Sequence, residues 1–280
     1  MASQQLDLAL KLREIGKQED EDINIAEAAL LLAAHELLGG VRLTSYRRHL
    51  ERLVTDVKNY AAGELSDPYL VCEGMQQVLA KRYGYAGTYN VFETDQSANL
   101  IHTIDSRRGN GGTLCVIYLH VARALGLIAE VIDFPPRPLI GVTVPNGRIM
   151  IDPFEGGQEL EAPAMRAIMK DLFGDKTELR PRHLLAISNR GLLLQLQGEI
   201  KHQHLRTAET DAALATIERM LMVAPNEAEL WREAGILHSR LDHIDEAISA
   251  LKHFLDISDL DDHRYQAGQL LQQLYARLDA

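Results

Sequence analysis

The sequence predicts an α+β protein that ends in an all-helical region. Three observations carry this reading. Thr113–Leu125 (TLCVIYLHVARAL) is apolar on nearly every face, which marks a helix enclosed by the rest of a core. Asn146-Gly147 lies between two apolar runs, Leu139–Val144 and Arg148–Ile151, and that dipeptide is a strong hairpin signal. From Asp211 onward, large and small apolar residues alternate in a ladder that repeats.

The first segment reads as helices. An acidic run, Glu19 to Asp22, precedes Ile23–Leu38, and acidic residues favour a helix N-terminus. Gly39-Gly40 ends that helix. Thr44 is positioned to cap the next one, whose apolar residues Leu50, Leu53, Val54, Val57 and Ala61 keep helical spacing. Asp67-Pro68 opens a third helix, with proline at its first position, that runs to about Tyr83 and stops at Gly84. Gly126 is the natural stop for the buried central helix. Ile128–Phe134 follows as a strand, then a break at Pro135, Pro136 and Pro138, then the hairpin. A buried helix followed by antiparallel strands is an α+β pattern. The domain boundaries expected from these changes of character are 1–62 for N-terminal helices packed on the core, 63–175 for the core, and 176–280 for a linker helix and helical repeats.

Composition narrows the function. The 280 residues are 46% hydrophobic and 25% charged, enough for a sizeable core. Lys and Arg number 29 against 40 Asp and Glu, a formal charge of −11. A net negative chain is repelled by phosphate backbones and anionic membranes, so neither nucleic acid nor a membrane is an expected partner. Arg42, Arg47, Arg48 and Arg52 could form a local basic patch, but Glu51 and Asp56 continue the same stretch, which reads as a solvated helix face. Cys72 and Cys115 both sit in apolar runs, as free thiols of a reducing compartment do. The N-terminus MASQQLDLALKLREIG lacks a signal-peptide pattern, and Ala28–Ala34 is too short to span a bilayer, so a cytoplasmic location is expected.

Trp231, Ala234-Gly235, Ala247, Leu251 and Phe254 match the tetratricopeptide ladder, in which small residues let paired helices approach and large ones fill the gaps. Ala213 and Pro225 fit one repeat back, and Tyr265 and Gly268 one repeat forward. Asp211 to Leu278 thus reads as one good repeat between two partial ones. A generic helical bundle is the alternative.

The order of helix, strand, hairpin and terminal Asp in Arg107–Gly157 resembles the transglutaminase-like branch of the papain fold. Ala26–Ala33 (AEAALLLA), Tyr83–Gly87 (YGYAG), Arg107–Gly109 (RRG), Tyr118–Leu127 (YLHVARALGL) and Ile151–Gly157 (IDPFEGG) are similar to the bacterial SirB-type proteins, which join such a core to tetratricopeptide helices. The resemblance implies a nucleophilic Cys at the start of the central helix, a His on the following sheet and an Asp on the next strand. Here the nucleophile position falls at Gly111 or Gly112, the His position at Arg137, and only the third position keeps its residue, Asp152. The family commonly has His where this chain has Arg137.

A count of residues makes the same point without an alignment. No histidine lies between His120 and His183, so the sheet that should supply a base has no imidazole. A general base must reach its proton, and arginine stays protonated. Cys115 is the alternative nucleophile, one helical turn deeper, with His102 or His120 as possible neighbours; its setting among Leu114, Val116 and Ile117 instead suits a buried core thiol. Asp152 either pairs with Arg137 or caps the turn into Pro153-Phe154. Gly109–Gly112 (GNGG) lacks the Lys-Ser/Thr of a nucleotide-binding loop, although a helix N-terminus there could hold a carboxylate. His202 and His204 are two apart and His238 and His243 five apart; neither spacing aligns both rings on one helical face, so no metal is expected, and no cofactor.

The function that follows is a non-catalytic protein-interaction scaffold or regulator, with Trp231, His238 and Tyr265 as partner-binding candidates. The alternative is a cysteine-dependent amide hydrolase or transferase using Cys115.

Overall fold

The computed structural model describes residues 2–37, 40–89, 96–259 and 261–278. Contacts divide the chain into two compact units. One comprises residues 20–196. The other joins the first 19 residues to residues 197–280.

The central unit is the α+β part. Its helices are α2 (Ile25–Glu36), α3 (Leu43–Tyr60), α4 (Pro68–Met75), α5 (Leu100–Ser106), α6 (Gly111–Ala124) and α7 (Ala162–Phe173), while α1 (Ala2–Gly16) belongs to the other unit. A turn of 3-10 helix, Asp20–Asp22, precedes α2, and Asn24 caps that helix by accepting the Glu27 N–H. The helix expected over Ile23–Leu38 is therefore present as Ile25–Glu36; Leu38 and Gly39 lie outside the described residues. Helix α3 starts one residue before Thr44, with Arg42 at the N-cap and no side-chain capping bond. Asp67 caps α4 through the N–H groups of Tyr69 and Leu70, as the Asp-Pro pair predicts. Beyond Met75 the same helix continues as a π-helical stretch, Gln76–Arg82, and Gly84 (φ 79°) ends it.

The main sheet has five antiparallel strands. In chain order these are β3 (Ala129–Ile132), β4 (Leu139–Val144), β5 (Gly147–Asp152), β6 (Gln158–Glu159) and β7 (Ala186–Ile187), and their spatial order is β6-β5-β4-β3-β7. The β4–β5 hairpin pairs Ile140 with Ile151 and Val142 with Ile149, as Asn146-Gly147 foretells. Strands β1 (Ala86–Gly87) and β2 (Arg108–Gly109) form a separate parallel pair.

Helix α6 packs against α2, α3 and α4 and also against β3 and β4. That enclosure is why its sequence is apolar all round. Alternation along the strands turns Ile132, Leu139 and Met150 toward the opposite side, where they join Phe134, Leu160, Met165 and Met169 in a cluster that seats α7.

The second unit is all-helical: α1 (Ala2–Gly16), the later part of α8 (Asn189–Arg206), α9 (Thr210–Val223), α10 (Ala228–Arg240), α11 (Ile244–Ile257) and α12 (Asp261–Leu278). Gly235 has no side chain because a Cβ there would lie 2.6 Å from Leu251 Cγ, so α10 and α11 meet closely at the small position of the ladder. Helix α1 packs on α9, burying Leu8, Leu12 and Ile15, and a Cβ on Gly16 would lie 2.3 Å from the Met222 carbonyl oxygen. The two units divide at 19/20 and 196/197, whereas the sequence expectation placed domain boundaries at 62/63 and 175/176. The apolar stripe of α1 packs within the helical unit, and the central unit spans Asp20–Leu196.

Candidate functional site

The start of α6 is where a papain-like nucleophile would stand. Asn110 is its N-cap, and the Asn110 side chain accepts the Thr113 N–H at 2.8 Å. The Thr113 hydroxyl in turn donates to the Ser97 carbonyl at 2.9 Å and lies 3.1 Å from the Thr103 hydroxyl. The Asn110 side chain thus takes up the Thr113 N–H at this helix start.

Gly111 and Gly112 are both buried. A Cβ on Gly111 would lie 3.0 Å from Pro138 Cδ and 3.1 Å from Arg137 Cβ. On Gly112 it would lie 2.7 Å from Leu196 Cδ2. A nucleophilic side chain at either position meets atoms already in place.

Cys115 has 0% exposure, and its thiol donates to the Pro138 carbonyl at 3.4 Å. Burial pushes its pKa well above the ordinary thiol value, and the Asp152 carboxylate adds to the rise. His120, offered above as a possible neighbour, has a buried Nε2 with no hydrogen-bond partner; the one charged group that perturbs it is Glu51 on α3. Neither His120 nor His102 is hydrogen-bonded to Cys115 among the described residues.

Arg137 and Asp152 are brought together. Asp152 is 1% exposed and the Arg137 side chain 20%. Arg137 Nη2 lies 2.8 Å and Nε 3.1 Å from Asp152 Oδ2, a two-pronged pair. Nη2 also donates to Glu155 at 3.0 Å, and the guanidinium lies 4.7 Å from the centre of the Phe154 ring. The other Asp152 oxygen accepts the N–H groups of Phe154 (3.0 Å) and Glu155 (3.3 Å). Asp152 thus both pairs with Arg137 and caps the turn into Pro153-Phe154, with Oδ2 facing the guanidinium and Oδ1 accepting the turn's N–H groups while also lying 3.4 Å from Arg137 Nε. Tyr89 donates to Glu155 and packs edge-on against Phe154. The Arg137 guanidinium stays protonated, and its charge is shared between two carboxylates, Asp152 and Glu155.

A second polar cluster was not foreseen. It explains the YGYAG and RRG segments. Arg107 has a left-handed backbone (φ 63°) at the end of α5, and its Nη1 donates to the Ile104 carbonyl and the Tyr85 hydroxyl. The same Nη1 lies 3.0 Å from His49 Nε2, which is 2.7 Å from the Tyr85 hydroxyl. Tyr83 donates to Asp56 at 2.7 Å. The cluster ties α3 to the β1–β2 pair. No periodicity announces it, because its members are separated by 22 to 58 positions. Of the possible basic patch on α3, Arg47 is bound to Glu27 at 2.8 Å.

Burial lowers the His49 pKa from 6.5 to about 4, with Arg107 and Arg52 adding to the effect. The folded pKa lies below the unfolded one, so the unfolded chain binds more protons in between. Stability from this site is full above 6.5 and falls as pH drops from there toward about 4. Allowing for solvent screening of a half-buried ring, the loss is about 1–2 kcal/mol. Urea unfolding at the two ends of that window is expected to show this extra acid sensitivity in the wild type and not in His49→Gln. Equal pH dependence in both proteins would refute it.

In the helical unit, Trp231 and His238 line one groove of about 710 Å³, with Leu221, Met222 and Pro225. Trp231 Nε1 donates to the Pro225 carbonyl at 2.8 Å, and its ring lies 4.3 Å from that of His253. Arg13 and Lys17 of the N-terminal segment line the same groove, a contribution the sequence did not signal. Glu218 and Glu246 supply opposite charge. Tyr265, the third partner-binding candidate, is 68% exposed on α12 and is not among the groove's lining residues.

Residues 44–198 match the Transglutaminase-like superfamily, and residues 200–274 match Tetratricopeptide repeat. The chain belongs to the transglutaminase-like superfamily. Its relatives are the UPF0162 proteins of the YchA and SirB type. A UPF0162 protein of Xylella fastidiosa (strain Temecula1) is 27% identical over 246 residues, covering 85% of each chain. UPF0162 protein PA3419 of Pseudomonas aeruginosa is 27% identical over 250 residues, 89% of this chain and 90% of its own. UPF0162 protein YchA of Escherichia coli (strain K12) is 25% identical over 211 residues, 74% and 77%. A crystal structure of menin aligns with a TM-score of 0.45 at 12% identity, over 92% of this chain and 73% of that one. Among the described residues of this transglutaminase-like chain, no helix is long and apolar enough to cross a membrane.

Proposed function

We propose that this transglutaminase-like protein works without catalysis, as a scaffold or regulator that holds another protein in its tetratricopeptide groove. The observation that carries the first half is that Gly111 and Gly112 carry no side chain that can attack, and that Pro138, Arg137 and Leu196 crowd the space beside them. The Arg137–Asp152 pair in place of a His–Asp pair supports the same reading. The buried, protonated thiol of Cys115 speaks against the amide-hydrolase alternative.

The groove supports the second half. Its apolar floor includes Leu221, Met222 and Pro225, and its rim carries Arg13 and Lys17 as well as Glu218 and Glu246. The occupant that matches is a peptide segment with an apolar centre, an acidic end and a basic end. Leu221 is only half-buried, so Leu221→Arg fills the groove without emptying the core. A partner captured by the wild type is expected to be lost from Leu221→Arg and kept by Tyr265→Ala, which lies outside the groove. Undiminished capture of that partner by Leu221→Arg would sink the assignment.

A further inference from the structure

We propose that His238 and His243 form a binding site for a divalent transition-metal ion, of the zinc and copper class, at the turn between α10 and α11. The two residues are five apart and share no helical face. The chain nevertheless brings them together because α10 ends at Arg240 and reverses. Leu241 N–H donates to the Leu237 carbonyl at 3.0 Å, Asp242 takes a left-handed backbone (φ 65°), and His243 N–H closes the turn onto the His238 carbonyl at 2.9 Å. This is the hydrogen-bond pattern of a helix C-terminal cap, and it fixes the two Cα positions side by side.

The ring nitrogens then decide the chemistry. His238 Nδ1 and His243 Nδ1 are 3.4 Å apart. Two imidazole nitrogens bound to one tetrahedral zinc, at about 2.0–2.1 Å each, stand about 3.3–3.4 Å from one another. The planes are inclined at 53°, with centroids 5.6 Å apart, so the rings are not stacked. His243 occupies the N-cap of α11, yet its side chain makes no capping bond and is free for another use. The His238 side chain is 12% exposed, and its other nitrogen, Nε2, lies 4.0 Å from Glu218 Oε1. A ligating imidazole usually turns its remaining N–H to a carboxylate, and Glu218 lies within ion-pair range of that nitrogen, beyond hydrogen-bond length.

Among the described residues no group of three or more His, Cys, Asp or Glu side chains gathers for a metal. The chain therefore supplies two nitrogen ligands, and solvent completes the sphere. Imidazole pairs select zinc, copper and nickel over magnesium and calcium, which prefer oxygen. The competing account of the same geometry is a plain hydrogen bond between two neutral imidazoles.

The test is calorimetric titration of the chelator-treated full chain with zinc, copper(II) and magnesium. The expected result is one zinc per chain, tighter binding of copper in keeping with the usual order of divalent affinities, and no magnesium binding. His243→Ala, which alters an exposed side chain, should weaken zinc at least tenfold, and His238→Gln should do the same. His204→Ala, at a separate His–Glu pair, should leave zinc binding unchanged. Absence of zinc binding by the wild type overturns the proposal. So does wild-type affinity in both His238→Gln and His243→Ala, because the ion would then sit elsewhere and the two rings would be only hydrogen-bonded.

Discussion

Alkylation of Cys115 in a Cys72→Ser background is expected to be at least about a thousandfold slower in the folded protein than in urea at the same pH, because reagent reaches the thiol only through rare opening. Two features of the site multiply. The sulfur has no exposed surface, and it donates to the Pro138 carbonyl. Its thiolate is further disfavoured by burial and by the nearby Asp152 carboxylate. Cys72 must be removed first. It too is buried, with its pKa pushed up to about 12, but it borders a small surface pocket. Rapid modification of Cys115 near neutral pH would mean an activated nucleophile, and the non-catalytic reading would fall.

Arg137→Ala is expected to cost about 3 kcal/mol, measured from urea midpoints. Removing one member of a buried ion pair strands the other, and the penalty is that of an uncompensated charge. Asp152 is the stranded group, at 1% exposure. Its bonds from the Phe154 and Glu155 N–H groups remain, which keeps the loss below the upper end of the usual range. The signature is non-additivity. Arg137→Ala combined with Asp152→Asn should cost less than the sum of the two single changes by about 1–3 kcal/mol. Additive costs would mean that the two side chains hold the loop independently.

Local signals in the sequence marked much of this fold. Asp67-Pro68 opens α4 as predicted, Asn146-Gly147 turns the β4–β5 hairpin, and the apolar run from Thr113 lies within the enclosed α6. Each of these is decided by neighbours within a few positions. Other elements carry no such local signal. Strands β1, β2, β6 and β7 have two residues each, too few for alternation to show. Helix α7 is read only once Met165 and Met169 are seen against the sheet. In the site, Gly111, Gly112, Arg137 and Asp152 could be named from the resemblance, but the neighbour that a Cβ on Gly112 would meet could not. Leu196 lies 84 positions from Gly112, and nothing local ties the two. The five-residue spacing of His238 and His243 separates the rings on one continuous helix, whereas a left-handed residue at Asp242 folds the second ring back.

The helical unit is made of the two ends of the chain, with 177 residues, from Asp20 to Leu196, strung between them. A ribosome makes α1 long before its packing partner α9. The central unit can complete itself while α1 is still waiting, with the Leu8, Leu12 and Ile15 stripe uncovered until residue 223 has emerged. A chain cut short before α9 therefore does not simply lose a tail; it also releases a sticky helix at the opposite end.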